Sequence, residues 1–444
     1  MKKKIVTVIK IALFLLLLGV VLLKVSDVLE QKTSRFHRTP VFSQDTPIDV
    51  LIIGSSHVKN GVLPYYLWKD YGISSYNFAS SGEKIQLSYY TLKDVIKEVN
   101  PKVVVLDAYL SPSGTEDGIK MNYGLVHEAI DYMDTDQEKI ELSKILSIGR
   151  DENAFSFLNN IYAYHYRWKE LDKNDFVERF TIEKGGQFLS GGSAFEEIPV
   201  FEGEISEKVK EGSGYEYLNK IMDLCEENGA QFLLINVPYV SIDEKAAKRQ
   251  YTFYKCVDER GFDSIYFPEV LDLLNIDCAT DFHDKGHVNV LGAKKVTDYV
   301  GNYLSTTMGV ADHRSDAAYQ SWEEFVKIYD DARMERAENS KTAYEYAMAF
   351  WDSSKYRVEL VTYDGEISDK LLNDYANKNE ITVSEYDGLK ESVKNYVDEK
   401  LIENDFTYRT MMALVYDINN EDIVAARRFL FYTDSYREEI KDNE

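Results

Sequence analysis

The chain has 444 residues, 44% hydrophobic and 29% charged, with 24 Gly and 8 Pro; that length predicts two to three domains, and the composition excludes collagenous, low-complexity and wholly disordered classes. Its 51 Lys and Arg against 76 Asp and Glu leave a net charge of −25, which argues against nucleic acid as a partner, because phosphate recognition needs a basic face. Three cysteines, Cys225, Cys256 and Cys278, are too few and too odd in number for a disulfide framework.

Lys2, Lys3 and Lys4 precede a nineteen-residue apolar stretch, from Ile5 to Leu23, that only Lys10 interrupts and Lys24 closes. A run of that length spans a hydrocarbon core of about 30 Å when Lys10 snorkels to the headgroups. A removed signal peptide is the alternative, but no small-x-small cleavage site follows the Leu-rich run, so residues 1–25 read as an uncleaved anchor. Positive charge ahead of the span places the N-terminus in the cytoplasm and everything after about Ser26 outside, as in a single-pass cell-membrane protein with an extracellular working part.

After a polar stalk over 26–45, the run Asp49-Val50-Leu51-Ile52-Ile53 predicts a strand covered on both faces, ending at Gly54-Ser55-Ser56. A helix with Pro64 near its start closes near Gly72. Next come Ser75-Tyr76-Asn77-Phe78 as a short strand, a helix from about Ile85 to Glu98, and Val103-Val104-Val105-Leu106 as another buried strand. The pattern resumes with a helix from about Tyr215 to Asn228, a strand from Gln231 to Asn236, a helix from about Asp243 to Arg260, a short strand from Asp263 to Tyr266 and a helix from about Leu291 to Leu304. Strands alternating with helices predict an α/β fold on a doubly wound, parallel, five-stranded sheet over 46–310.

Residues from about 110 to 212 interrupt this alternation with helix-like sequence rich in aromatics, among them Phe155, Tyr162, Tyr164, Tyr166 and Trp168. An insertion between such strands sits at the loop edge, where substrates bind; its aromatics suit a sugar-stacking platform or the packing of an insertion helix. The tail from 311 onward holds 31 acidic and 17 basic residues and so carries −14 of the charge. A linker helix is expected over 311–352 and a small α+β module over 353–444, with strands from Val358 to Val361 and from Met411 to Tyr416 and an amphipathic helix from Glu421 to Phe429.

Gly54-Ser55-Ser56-His57 falls where a buried strand turns into a helix. A serine there presents its hydroxyl at the sheet's carboxyl edge and its N–H near a helix start, where an oxyanion is held; the same residues also serve as a tight turn with an N-cap. Ser56 is the expected nucleophile and Ser55 the cap. Between the last strand and last helix lies Asp281-Phe282-His283-Asp284-Lys285-Gly286-His287-Val288-Asn289. An Asp three residues before a His turns its carboxylate onto Nδ1–H and leaves Nε2 for a serine hydroxyl, and Asp284 and His287 have that spacing. His283 and His287 with Asp281 also have a spacing open to a metal ion, though a Gly-containing loop offers no helical face to align the pair. No metal and no cofactor is expected.

With Ser56 after the first strand and Asp284 and His287 after the last, the sequence resembles the SGNH (GDSL-type) hydrolase superfamily, whose sheet is flavodoxin-like, over about residues 46–110 and 212–306. Gly54-Ser55-Ser56 stands for its first block and Asp284-Lys285-Gly286-His287 for its last. Asn77-Phe78-Ala79-Ser80-Ser81-Gly82 looks like its second block, which implies an oxyanion-hole N–H from Gly82 beside that of Ser56. Where the family often has an oxyanion-hole Asn after the third strand, this chain reads Asp107-Ala108-Tyr109; an anion there would repel an oxyanion, so Asn77 or the backbone near Ser56 is the expected substitute. His57, in place of the usual Leu, is either an extra polar contact or a filler of the helix start.

More narrowly, Lys2 to Leu23, Gly54-Ser55-Ser56-His57 and Tyr164-His165-Tyr166-Arg167-Trp168 resemble the membrane-anchored SGNH proteins of Gram-positive and other bacteria that take part in teichoic acid D-alanyl transfer and cell-surface polysaccharide O-acetylation. The resemblance implies a serine acyltransferase or esterase acting on a cell-surface glycan, with a membrane-bound O-acyltransferase as partner and His57, Tyr109, His165, Arg167 and Trp168 as candidate substrate contacts. A carbohydrate deacetylase, or a non-catalytic scaffold that keeps the fold and binds glycan, are the alternatives.

Overall fold

The computed structural model describes residues 2–30, 38–44, 46–112, 118–176, 184–401, 406–407 and 410–430. The expected stalk lies outside them at 31–37 and 45, as do insertion residues 113–117 and 177–183 and the last residues of the expected C-terminal module, 431–444. Helix α1 (Lys2–Leu29) carries the apolar stretch, is long and apolar enough to cross a membrane, and continues past the expected anchor into the stalk.

Alternation along the strands sets the rest. In β1 (Val50–Gly54), β3 (Val103–Asp107) and β4 (Gln231–Ile235), neighbouring side chains point to opposite faces. Val50, Ile52, Val103, Val105, Leu233 and Ile235 join one apolar cluster, and Leu51, Ile53, Val104, Leu106, Phe232 and Leu234 join the other. With β2 (Ser75–Asn77) and β5 (Asp263–Ser264) the sheet has five strands, all parallel, in the order β2-β1-β3-β4-β5. The doubly wound parallel sheet expected from the sequence is the one observed.

Helices cover both faces. Short α2 (Ser56–Gly61) and α3 (Pro64–Tyr71) return over the first, and α4 (Ile85–Val99) over the second. Between β3 and β4 the insertion forms α5 (Tyr123–Ile130), α6 (Gln137–Leu146) and α7 (Asn160–Tyr164), with its own core around Val126, Ile130, Leu142 and Phe157. Then α8 (Ser213–Glu227) and α9 (Glu244–Glu259) complete the second face, and α10 (Phe267–Leu274) and α11 (Val290–Thr306) the first. Strand order reverses between β1 and β3, which opens a crevice at the carboxyl edge, where ligands of such sheets bind.

The tail departs from expectation in two places. The expected linker helix is three helices, α12 (Gln320–Asp331), α13 (Arg333–Glu338) and α14 (Ala343–Met348). The buried Arg333 guanidinium holds this fold-back by donating to Asp330, Asp352 and the Tyr65 hydroxyl, and the Thr342 side chain caps α14. Beyond them β6 (Tyr356–Thr362), α15 (Lys370–Lys378), β7 (Thr382–Glu385), α16 (Glu391–Leu401), β8 (Thr410–Asp417) and β9 (Ile423–Leu430) build a sheet of order β7-β6-β8-β9. The amphipathic helix expected from Glu421 to Phe429 is therefore strand β9. Glu421 adopts a left-handed φ of 59°, which folds the chain back so that β9 pairs antiparallel with β8, and that ladder satisfies the backbone a helix would otherwise have satisfied. This module shares a core with the larger sheet: Leu360, Tyr375 and Ala413 belong to the cluster that holds Val50, and Trp322 stacks on Trp68 at 5.5 Å.

Candidate active site

The nucleophile turn begins with a backbone only glycine accepts. Gly54 has φ 136°, and a Cβ there would lie 2.6 Å from the Asp107 carbonyl on the neighbouring strand. The chain thereby leaves β1 sharply into α2. Ser55 is the buried N-cap, its hydroxyl accepting from His57 N–H at 3.4 Å. Ser56, the first helical residue, is half-buried with its hydroxyl at the sheet edge.

Across the crevice, Phe282 and Val288 pair as a two-residue antiparallel bridge, and both are fully buried. This pins the ends of the loop and lifts Asp284 and His287 to the rim. His287 Nε2 lies 2.9 Å from Ser56 Oγ, and His287 Nδ1 lies 3.0 and 3.2 Å from the two Asp284 oxygens. An Nδ1–H donated to the carboxylate leaves Nε2 as acceptor for the serine hydroxyl. Asp284 Oδ1 also accepts the N–H groups of Gly286 at 2.7 Å and His287 at 2.9 Å. Partial burial works to raise the Asp284 pKa, but the Gly286 and His287 donors outweigh it and hold the carboxyl below the usual aspartate range. The Asp284 side chain is 52% exposed, so its orientation comes from its own loop rather than from a closed pocket.

Ser80 N–H donates to the Gly54 carbonyl at 3.1 Å, which seats the 78–82 loop beside the nucleophile turn. Gly82 turns there with φ 66°. Among the described residues neither the Ser56 nor the Gly82 N–H is taken by a hydrogen-bond acceptor, as a helix start and a turn leave them. Asn77 is committed elsewhere: Nδ2 donates to the Val58 and Val62 carbonyls, each at 2.8 Å, and Oδ1 accepts Ala79 N–H. Its expected place in the oxyanion hole is corrected accordingly; it pins the end of α2.

Asp107 is buried at the end of β3, and burial pushes its carboxyl up to about 8 against the pull of the Tyr109 N–H and Arg249. At neutral pH it is an uncharged acid, so the repulsion anticipated from its sequence does not arise. His57 is buried, stacks on Tyr109 with ring centroids 3.4 Å apart and meets Tyr239 edge-on at 5.0 Å. Arg249 donates to the Tyr109 carbonyl at 2.9 Å.

The structure thus gathers Ser56, Asp284, His287, His57 and Tyr109 at one edge, with Gly82 on the adjoining loop. Arg167 and Trp168, by contrast, have their contacts at the foot of α1, where Arg167 donates to the Leu29 and Glu30 carbonyls and Trp168 faces Val20 to Leu29, and His165 stays within the insertion, its Nδ1 2.9 Å from the Tyr162 carbonyl. The alternative metal group is dispersed, since buried Asp281 pairs with Lys295 and Thr280 while His283 Nδ1 faces the Ser190 carbonyl. Among the described residues no cluster of three or more His, Cys, Asp or Glu is placed to hold a metal.

Sequence reading missed Tyr239 and Arg249, which frame His57 and Tyr109. Tyr239 lies four residues past the end of β4, at the same sheet edge as Ser56, and that position was the available signal. It also missed α5, where Leu125 packs over Gly82 and Glu128 binds buried Lys59 of α2 at 3.2 Å. Comparison with known protein families finds no family model that matches the chain, and comparison with functionally curated proteins finds no match.

Proposed function

We propose that the chain is a membrane-anchored, extracytoplasmic serine acyltransferase of SGNH type that O-acylates, most simply acetylates, a cell-surface polysaccharide, with a membrane-bound O-acyltransferase supplying the acyl group. The observation that carries this reading is the continuous relay Ser56 Oγ, His287 Nε2, His287 Nδ1, Asp284, each link within 3.0 Å. In the first half-reaction Ser56 Oγ attacks the acyl carbonyl carbon as His287 Nε2 takes the hydroxyl proton. The carbonyl oxygen becomes an oxyanion between the Ser56 and Gly82 N–H groups. The intermediate collapses with cleavage of the donor ester bond, and the leaving alkoxide takes the proton from the imidazolium. In the second half a sugar hydroxyl gives its proton to His287 and attacks the acyl carbon; the bond to Ser56 Oγ breaks, and Oγ takes the proton back from the imidazolium. Asp284 stabilises the imidazolium in both halves.

Hydrolysis is the second reading, and the exposure of Asp284 favours it: a rim open to solvent admits water as acceptor unless the glycan covers it. Intact-mass spectrometry of the full chain after exposure to an activated acetyl ester tests both. An acetyl adduct mapped to Ser56 and lost in Ser56→Ala and His287→Ala is expected; an adduct elsewhere, or none with no ester turnover, overturns the catalytic reading. Added glycan fragments then separate acetylated glycan from free acetate.

A further inference from the structure

The anchor and the insertion are built into one another. Arg167 Nη1 donates to the last carbonyls of the anchor, those of Leu29 and Glu30, both at 2.7 Å, and its Nη2 pairs with Asp175 at 2.7 Å. Asn160 reaches the Glu30 carboxylate at 3.0 Å, and Leu29 is buried with Ala163 and Tyr164. Tyr164 in turn donates to Asp131, which lies 2.7 Å from His127 Nδ1 on α5.

Around this joint the insertion turns large apolar side chains outward. Phe155, Tyr162, Tyr166, Trp168 and Phe176 are all at least half exposed, Trp168 at 64% and Phe176 at 67%. So many large aromatics turned to water within the single segment 155–176 are unfavourable and mark an interaction site. Trp168 and Leu171 also enclose, with Val20, Val21, Lys24, Val25, Val28 and Leu29 of α1, an almost wholly apolar cavity of about 440 Å³ that opens outward.

Helix length fixes the depth of these groups. The 28 residues of α1 extend about 42 Å at 1.5 Å per residue, against about 30 Å of hydrocarbon. With Ile5 to Leu23 in the core, Lys24 to Leu29 stand at headgroup level, and Trp168, which faces that stretch, stands where Trp and Tyr partition in membrane proteins.

Resting on the reading of α1 as a membrane span, we propose that residues 155–176 form an aromatic collar seated in the headgroup layer of the outer leaflet, with a phospholipid acyl chain in the cavity between α1 and Trp168. Lipid is the occupant because the cavity wall is the apolar flank of α1 itself: Val20, Val21, Val25, Val28 and Leu29 line it opposite Trp168 and Leu171. The collar fixes how the catalytic domain stands on the bilayer.

The test uses the full chain in phospholipid vesicles whose acyl chains carry bromine at shallow or at deep positions, comparing tryptophan emission of the wild type with Trp168→Phe. The Trp168 share of the emission is expected to be quenched at least twofold more by shallow than by deep bromine, and to be shielded from aqueous iodide. Equal bromine quenching of wild type and Trp168→Phe, in protein that floats with the vesicles and resists alkaline extraction, overturns the collar while leaving the anchor intact. Protein that fails to float removes the anchor and the collar together. Crosslinking of a photoreactive group at position 162 to a second membrane protein, without crosslinks to lipid, overturns lipid as the occupant.

Discussion

His57 and His287 stand with their ring centroids 5.1 Å apart and tilted by 51°, one buried and the other at the rim. A proton added to His57 would face the His287 ring at that separation. Burial first, then the neighbouring His287, lowers the His57 pKa well below that of a free imidazole. His57 is therefore held neutral, and the proposed mechanism leaves His287 as the group that takes the Ser56 proton.

A stability signature follows from His57. Its folded-state pKa lies below its unfolded value of about 6.5, so below that pH the unfolded chain binds the proton more readily and folding weakens, by up to about 1.4 kcal/mol per pH unit until the folded-state pKa is reached. Thermal melts of wild type and His57→Phe between pH 5 and 7 read this directly. The wild type is expected to lose Tm as pH falls and the variant to lose less; parallel slopes would count against a buried neutral His57.

Loss of the relay has graded costs. Ser56→Ala and His287→Ala are each expected to lower ester turnover at least about a thousandfold, since nucleophile and base act as a unit. Asp284→Asn is expected to cost less, about 10–100-fold, because the exposed carboxylate acts through a more screened interaction than a buried one. Steady-state rates on an activated ester separate the three, and a Ser56→Ala variant with wild-type turnover would move the chemistry elsewhere.

Asp107 has the opposite sign to His57. Its carboxyl, pushed up to about 8 in the folded chain, ionises near 3.8 when unfolded, so between these values the folded state holds the extra proton and stability falls as pH rises. Asp107→Asn removes that slope and is expected to be the more stable form near pH 8, by about 2–4 kcal/mol, measured by denaturant titration across pH 5–8. Above pH 8 the wild type gains an anion beside the Gly54 turn. The alkaline limb of turnover is accordingly expected to move upward in the Asn variant.

Gly82→Ala places a Cβ 2.7 Å from Leu125 at a φ of 66°. The left-handed backbone costs about 1–2 kcal/mol, and the loop must shift its N–H away from the expected oxyanion position. Turnover is expected to fall about 10–100-fold with a Tm loss of only a few degrees. Unchanged turnover would remove Gly82 from the oxyanion hole.

What the sequence made legible was periodic or local. The continuous apolar runs at Val50, Val103 and Phe232 announced strands dry on both faces, and chain order alone brought Ser56 to one edge with His287. What it hid depended on tertiary context. Residues 423–430 have helical amphipathicity yet pair as a strand, because β8 lies ready to bond them. The aromatics of 155–176 have the same composition whether they stack on sugars or pack beside a helix, and only tertiary contacts set Tyr164 and Trp168 against α1. Asn77 matched a donor by type but had both amide hydrogens committed. The role of Asp107 turned on burial, which removes the charge its letter implies.

Helix α5 joins three places that the sequence keeps apart. Leu125 lies over Gly82, Glu128 holds Lys59 on α2, and Asp131, which caps the end of α5, binds Tyr164 beside α1. Arg38, just past the residues that follow the anchor, donates to the Ala129 carbonyl at 2.8 Å and pairs with Glu83 next to Gly82. The edge that carries Ser56 is therefore mounted on α1 as on a bracket; if α1 spans a bilayer as proposed, its height above that bilayer does not depend on the length of chain between Glu30 and Arg38. Glycine and serine residues inserted there should leave turnover unchanged, whereas Arg167→Ala should let the domain swing. Under the proposed function, a fixed mount of this kind serves only substrates delivered at one distance from the membrane, so reach would belong to the glycan and to whatever presents the acyl group.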